Sequence, residues 1–386
     1  MRTRRMISAL GLILVLASTS LPGGSPVGAA AVDSDEQWDY VAESVSGQYE
    51  PVVGNFAGDF SSDIYWYAPG APVDTLYIGN DGVREWTKVR VEIDDDAVPV
   101  VGDFGGDELD DIIWYRAGSG IDRVWIATGG EEVFDTSGTV TLNGTYVPEV
   151  LRDWREGKKD RVFWYRAGDG TDPLWIFKPD GSHTVVTEQV RNTLQVVAGD
   201  WSGDGVEDLL LYGPGTLPDR VWTSHAGPFT SRSITINGRY QAVAVLGIPF
   251  DEVLLFGTGD KPDRYMHNTG SGFRTQPVLL PARGKAYTAG LGAAIVYSPL
   301  DFENIVIDDD DTAGSYYLSE SRDVGPGHVP LIGNFENDDF LDVFWYGKGT
   351  NTDEVWYGHN PDLAEAPFGR HAPDGTDRRP GRAIRP

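Results

Sequence analysis

The sequence predicts an all-β protein, a seven-bladed β-propeller whose ring is closed by an N-terminal strand completing the last blade. Three observations predict it. A phrase of about seventeen residues recurs along the chain at a nearly constant spacing. The composition, with 48 Gly, 24 Pro and 11% aromatics in 386 residues, suits many short strands joined by tight turns. The segment before the first copy matches the segment that precedes the second, so the two ends of the chain can share one sheet.

The phrase reads PVVGNFAGDFSSDIYWY from Pro51, PVVGDFGGDELDDIIWY from Pro99 and PEVLRDWREGKKDRVFWY from Pro148. It returns as VVAGDWSGDGVEDLLLY from Val196 and PLIGNFENDDFLDVFWY from Pro330, with worn copies at Val243 and Thr288. Anchor positions at 55, 103, 153, 200, about 246, about 291 and 334 give steps of 43 to 50 residues, the length of a propeller blade. Each repeat divides into four strands. In the second these are VPVVGDF, DDIIWYRA, DRVWIAT and EVFDTSGTVTL. The last repeat lacks a fourth strand after Asp353–Tyr357. Gln37–Tyr40 resembles the fourth-strand segment Glu85–Lys88 and is expected to supply it, which removes an open sheet edge.

The domain reading follows. Residues 1–31 carry Arg2, Arg4 and Arg5, an apolar stretch from Met6 to Ser18 and a run of small residues, the order of a secretory signal peptide. Residues 32–361 form the propeller. Residues 362–386, rich in Pro, Gly and Arg, are expected to be a disordered tail. The mature protein is expected to be secreted and monomeric, with no membrane insertion. Removing residues 1–31 moves the formal charge from −28 to −31. That charge repels nucleic acid and favours cations. Without Cys there are no disulfides, so a core, metal ions or both must stabilise the fold.

The connection between the first and second strands holds the candidate metal chemistry. Four copies place oxygen side chains at loop positions one, five and nine: Asn55, Asp59 and Asp63; Asp103, Asp107 and Asp111; Asp200, Asp204 and Asp208; Asn334, Asp338 and Asp342. Hard cations with six to eight oxygen ligands suit such loops, and Ca2+ suits them better than Mg2+ because the loops are irregular. The absence of His and Cys disfavours transition metals. Two carboxylates about 5 Å apart repel by roughly 3 kcal/mol at a dielectric near 20, so an ion would relieve real strain. Acidic turns without metal are the alternative. About four Ca2+ sites are expected, the Asn-first ones weaker. The third repeat keeps Asp153 and Asp160 in a loop read as one residue shorter, and it is expected to hold no strong site.

PVVGDFGGDELDDIIWY and VVAGDWSGDGVEDLLLY resemble FG-GAP/VCBS repeats, the units of integrin α-subunit propellers and of many bacterial secreted proteins. The likeness spans about residues 35 to 360. It implies calcium in hairpin loops on one face and partners on the opposite face, which would include Arg116, Asp122, Arg166, Asp172, Asp219 and Asp353 with Tyr49, Tyr146, Tyr240 and Tyr287. The expected function is recognition of an extracellular protein or glycan. A secreted polysaccharide lyase or hydrolase and a passive extracellular structural domain are the alternatives. No catalytic residue or other cofactor is assigned, because the six His follow no triad or metal spacing. The pairs Trp66–Tyr67, Trp114–Tyr115, Trp164–Tyr165 and Trp345–Tyr346 are expected to place one member in the core and one outside. Trp125, Trp175, Trp222 and Trp356 are expected to pack between blades.

Overall fold

The computed structural model describes Ala31–Val32 and then Trp38 to Gly358, apart from short stretches of which the longest are 299–303 and 310–314. Residues 1–30 and 359–386, and with them most of the signal segment and the tail, lie outside the described residues. The boundary placed after residue 31 falls within the strand Ala31–Val32.

The chain is an all-β β-propeller. Glu50–Gly54, Asp63–Tyr67, Thr75–Asn80 and Val83–Arg90 make the first four-stranded antiparallel sheet, each strand pairing with the next in sequence. The second runs from Val98 to Val140, the third from Val147 to Glu188, the fourth from Gln195 to Ile234 and the fifth from Tyr240 to Val278. The closing sheet joins His328–Gly333, Asp342–Gly347 and Asp353–Gly358 to Trp38–Glu43 from the start of the chain. Trp38 to Glu43 pairs residue by residue with Gly358 back to Asp353, so the ring is fastened by its two ends.

The expectation of seven blades is corrected to six regular ones. Six sheets have the regular four strands. The sheet between the fifth and the closing one has five, because Ala31–Val32 adds a parallel strand at Leu318–Ser319. This is the worn repeat from Thr288, whose first two strands have a register shift between Thr288 and Gly290. Asp308 and Asp309 end a strand of this sheet.

The second strand of every regular blade is buried along its length, as in Asp63–Tyr67 and Asp111–Tyr115, apart from the half-buried Glu252 that opens it in the fifth. Neighbouring blades cover both of its faces. This overturns the expectation for the Trp–Tyr pairs: Trp114 and Tyr115 are both buried, as are Trp66 with Tyr67, Trp164 with Tyr165, and Trp345 with Tyr346. Alternating side chains point to opposite faces, but here each face is a core. Trp114 packs against Tyr67 of the preceding blade with ring centroids 4.9 Å apart, and against Trp125 of its own third strand at 5.2 Å. The third-strand Trp125, Trp175, Trp222 and Trp356 are buried as expected.

Second-strand tyrosines also tie blades together, except in the fifth blade, where Phe256 stands at that position. Tyr115 Oη accepts the Tyr146 amide at 2.9 Å and donates to the Gly144 carbonyl at 2.8 Å. Tyr212 does the same with Tyr240 and Gly238, and Tyr165 with Leu194 and Asn192. Across the ring closure Tyr346 bonds the Tyr49 amide and the Gly47 carbonyl, both at 2.9 Å.

Tyr346→Phe keeps the ring packing and removes that latch, leaving the Tyr49 amide short of an acceptor while the Gly47 carbonyl keeps the Gly349 amide. It should lower stability by about 1–3 kcal/mol. Urea denaturation checks this, and an unchanged midpoint would show that the closure does not depend on the hydroxyl.

Candidate functional site

Each first strand runs toward the acidic loop and each second strand returns from it, so the loops of successive blades gather at one end of the ring. In all four acidic loops the fourth position is left-handed: Gly58, Gly106, Gly203 and Asn337 have φ of 80°, 79°, 75° and 54°. Glycine adopts this conformation without the Cβ penalty, and Asn tolerates it better than most residues. Position six is also left-handed at Phe60, Glu108 and Gly205. Only the Asp200 loop has Gly at both places.

This winding turns backbone amides toward the first side chain. Asp200 Oδ1 accepts the amides of Gly203 and Asp204 at 2.6 and 3.2 Å, and Oδ2 accepts that of Gly205 at 2.8 Å. Asp103 accepts from Gly106, Asp107 and Glu108. Asn55 and Asn334 accept one amide each, from Gly58 and Asp338. The fifth residue closes a short turn on the amide two positions on, as Asp204 does at Val206.

The ninth residue is the most buried. Asp63 accepts the amides of Phe56, Ala57 and Gly79, and Asp111 those of Phe104, Gly105 and Ala127. Asp342 accepts two, from Phe335 and Gly358. Asp208 accepts the Ser224 amide at 2.8 Å, while its buried Oδ2 has no hydrogen-bond partner of good geometry, although the Ser202 hydroxyl stands near enough to lower its pKa. Burial pushes Asp111 up to about 8, with the charges of Asp103 and Asp107 adding to it. Burial pushes Asp208 up to about 7, aided by Asp200 and Asp204. Asp63 and Asp342 are raised well above the usual range by burial, with Asp59 and Asp338 as neighbouring charges.

The predicted residues are therefore brought together loop by loop, within electrostatic reach of one another. They are turned onto backbone amides, and among the described residues no three acidic or His side chains form a ready metal cage. The donor chemistry fits a hard cation best at Asp200, Asp204 and Asp208. There a buried carboxylate oxygen is left over, whereas Asp63 and Asp111 spend three of about four acceptor positions on amides. Protein hydrogen-bond donors compete nearby. His225 Nδ1 lies 2.6 Å from Asp204, and Arg155 bonds both His225 and Asp153. Lys159 bonds the Phe104 and Gly105 carbonyls, and Arg84 holds Glu336 at 2.8 Å.

A second set of residues, at loop position eight, was not singled out from the sequence. The Asn55 amide donates to Asp110 Oδ2 at 2.9 Å, and the Asp110 amide returns a bond to the Asn55 carbonyl at 2.8 Å. The same reciprocal pair links Asp103 with Asp160, Arg152 with Glu207, Asp200 with Asp251, and Asn334 with Ser62. Each joins the first loop residue of one blade to the following blade. The signal was present, since a polar residue precedes the second strand in register at Ser62, Asp110, Asp160, Glu207 and Asp251.

That pairing corrects the third loop. Leu151 pairs with Arg161 where Gly54 pairs with Asp63, so the loop is one residue longer, with Arg152 first and Arg161 last. Asp160, ninth of these ten residues, is the equivalent of the position-eight latch. Arg152, 5% exposed, puts its guanidinium 3.0 Å from Asp110 and 3.7 Å from Asp160. Arg161 donates to Ser224 and to the Glu207 carbonyl. Where the other loops gather acids, this one carries its own buried cations.

The opposite end also differs from expectation. Asp122, Asp172, Asp219 and Asp353 are buried and do not face a partner. Asp122 accepts the Arg116 and Leu142 amides, each at 2.8 Å, and Asp74, Asp172, Asp219 and Asp353 repeat the arrangement. Tyr240 and Tyr287 are buried, while Tyr49 and Tyr146 are half-buried. Arg116 and Arg166 are exposed. The first strands line a central channel of about 580 Å3.

No known family pattern matches this sequence, and no curated protein matches it. Among solved structures, BBS1N in complex with ARL6DN is similar with a TM-score of 0.55 and 12% identity, over 86% of this chain and 100% of that one. A protein from Lactobacillus plantarum is similar with a TM-score of 0.52 and 13% identity, over 87% and 99%. At such identities the likeness shows the propeller fold alone. Among the described residues no helix is long and apolar enough to cross a membrane.

Two predictions follow from this geometry. Arg152→Met leaves Asp110 and Asp160 buried without their cation and should destabilise the fold by about 3–5 kcal/mol in urea denaturation. Equal or greater stability would show that packing alone suffices there. Carboxylates raised in the folded state, such as Asp111 near 8 and Asp208 near 7, bind protons on folding when the unfolded value is 3.8. Their protonated forms favour the fold, and that stability is lost as pH rises from about 4 through about 8. The chelator-treated protein should therefore melt higher at pH 5.5 than at pH 8; the reverse order would refute the assignment.

Proposed function

We propose that this chain is a secreted, calcium-binding β-propeller that serves as a recognition module for an extracellular protein or glycan. The observation that carries the reading is four acidic loops at one register, wound alike, with oxygen donors at positions one, five and nine. In this reading residues 32–361 form one propeller of FG-GAP/VCBS type, with the five-stranded sheet as the seventh blade of the ring.

Asp103, Asp107 and Asp111, and Asp200, Asp204 and Asp208, would hold the tighter ions. Asn55, Asp59 and Asp63, and Asn334, Asp338 and Asp342, would hold weaker ones, because each lacks one negative charge. A bound Ca2+ supplies charge neutralisation and loop rigidity. The chain contributes the amide-lined turns that orient the first carboxylate, and the position-eight latch that transmits the order of one loop to the next blade. Burial of the ninth residue keeps water from one side of the site.

Calcium at about a thousand times its Kd stabilises by about 4 kcal/mol per site. EDTA should lower the melting temperature and excess Ca2+ restore it, and an unchanged melt removes the metal reading. Asp204→Ala should abolish one site in titration calorimetry and leave the Asn55 and Asn334 loops unaffected; an unaltered site count contradicts the assignment.

A further inference from the structure

The end of the ring opposite the acidic loops has a charge of the other sign. The connections 116–121, 141–146, 166–171, 189–194, 213–218 and 235–239 span the second to fourth blades. They contain Arg116, Arg166, Arg191 and Arg239, all exposed, and a single acid, Asp169. The acidic side chains at the starts of the third strands, Asp122, Asp172 and Asp219, are buried onto backbone amides and do not face solvent. On a chain of net charge −28 this arc is locally positive.

The same arc is apolar. Ile121 is 61% exposed, Val147 57%, Val98 41% and Leu217 38%. Val98 and Val147 begin first strands that line the central channel, so the apolar surface sits at the channel mouth and continues outward to Ile121 and Leu217. Large exposed hydrophobics are otherwise few among the described residues. Val73 lies at this end on the first blade, and Phe60, Val83 and Val185 lie elsewhere.

We propose that this arc docks an acidic peptide segment carrying aliphatic side chains, from a partner protein. The proposal rests on the reading of the chain as a recognition module and gives that module its face and the chemistry of its partner. Charge complementarity selects an anionic partner, and the remaining strong acidity of the molecule repels such a partner from other approaches. The exposed apolar groups are aliphatic, suited to Leu, Ile or Val side chains. None of the fully exposed large hydrophobics at this end is aromatic, and the Tyr146 ring of the arc is half-buried, so an anionic polysaccharide would find no open ring face as a platform.

The test uses the full chain in calcium and a short fluorescein-labelled peptide of alternating Glu and Leu, read by anisotropy. The wild type should bind it, more weakly as salt rises. A variant with Arg116→Glu, Arg166→Glu, Arg191→Glu and Arg239→Glu should bind at least about tenfold more weakly, as should one with Ile121→Ser and Leu217→Ser. Both variants should keep the wild-type circular dichroism. Any binding of a peptide with Lys in place of Glu should not weaken in the Arg→Glu variant. No binding by the wild type, equal binding by the variants, or binding of polygalacturonate in preference to the peptide overturns the proposal. The calcium-dependent melt, measured alongside, separates the outcomes: if it persists while the peptide fails, only this face and partner fall.

Discussion

Every blade of this ring ends in short strands whose terminal amides are buried, and a buried amide must find an acceptor. That constraint organises the molecule. Each regular blade meets it with side chains in fixed places. An Asp at the start of the third strand accepts amides from two connections, as Asp122 does from Arg116 and Leu142. In every regular blade but the fifth, which has Phe256 there, a Tyr at the end of the second strand caps the entry of the next blade, as Tyr115 does at Tyr146. At the other end, the eighth and ninth loop residues grip backbone within and between blades. Much of the acidity of the chain is therefore structural, consumed in satisfying backbone, and the repeat persists because the same amides recur in every blade.

The acidic loops show this constraint in tension with electrostatics. Placing carboxylates where amides converge satisfies the amides but also gathers negative charge under cover, and burial then raises the pKa values of Asp111 and Asp208. A hard cation would relieve that charge without undoing the amide bonds where lone pairs remain. The third loop reaches the same relief covalently: Arg152 and Arg161 occupy its first and last positions, and Arg152 neutralises the latch residues Asp110 and Asp160. Because every latch joins the first residue of one loop to the next blade, the state of one loop is mechanically coupled to its neighbour.

The repeat period, the strand divisions and the shared closing sheet were legible in the sequence, since they depend on phrases such as PVVGDF and on the match of Gln37–Tyr40 to Glu85–Lys88. The oxygen-rich pattern of the four loops was legible too, because its spacing is local. The roles of Asp122, Asp172, Asp219 and Asp353 were not. A carboxylate beside a Gly-rich connection reads as exposed until the structure shows two amides closing over it. The third loop was misaligned for a related reason. Its Asp residues drew the register toward themselves, whereas strand pairing puts Arg152 and Arg161 at the ends.

By itself, the sequence determined a circular all-β architecture, an acidic charge balance and four oxygen-rich loops, since periodicity and residue type are properties of the chain. Only the tertiary structure decided which acids serve backbone and which remain open to an ion. It also decided that both members of each Trp–Tyr pair are core, and that the sheet before the closing blade takes a fifth strand. Those outcomes depend on what a neighbouring blade brings to within hydrogen-bond or packing distance, and such a neighbour lies about fifty residues away in the chain.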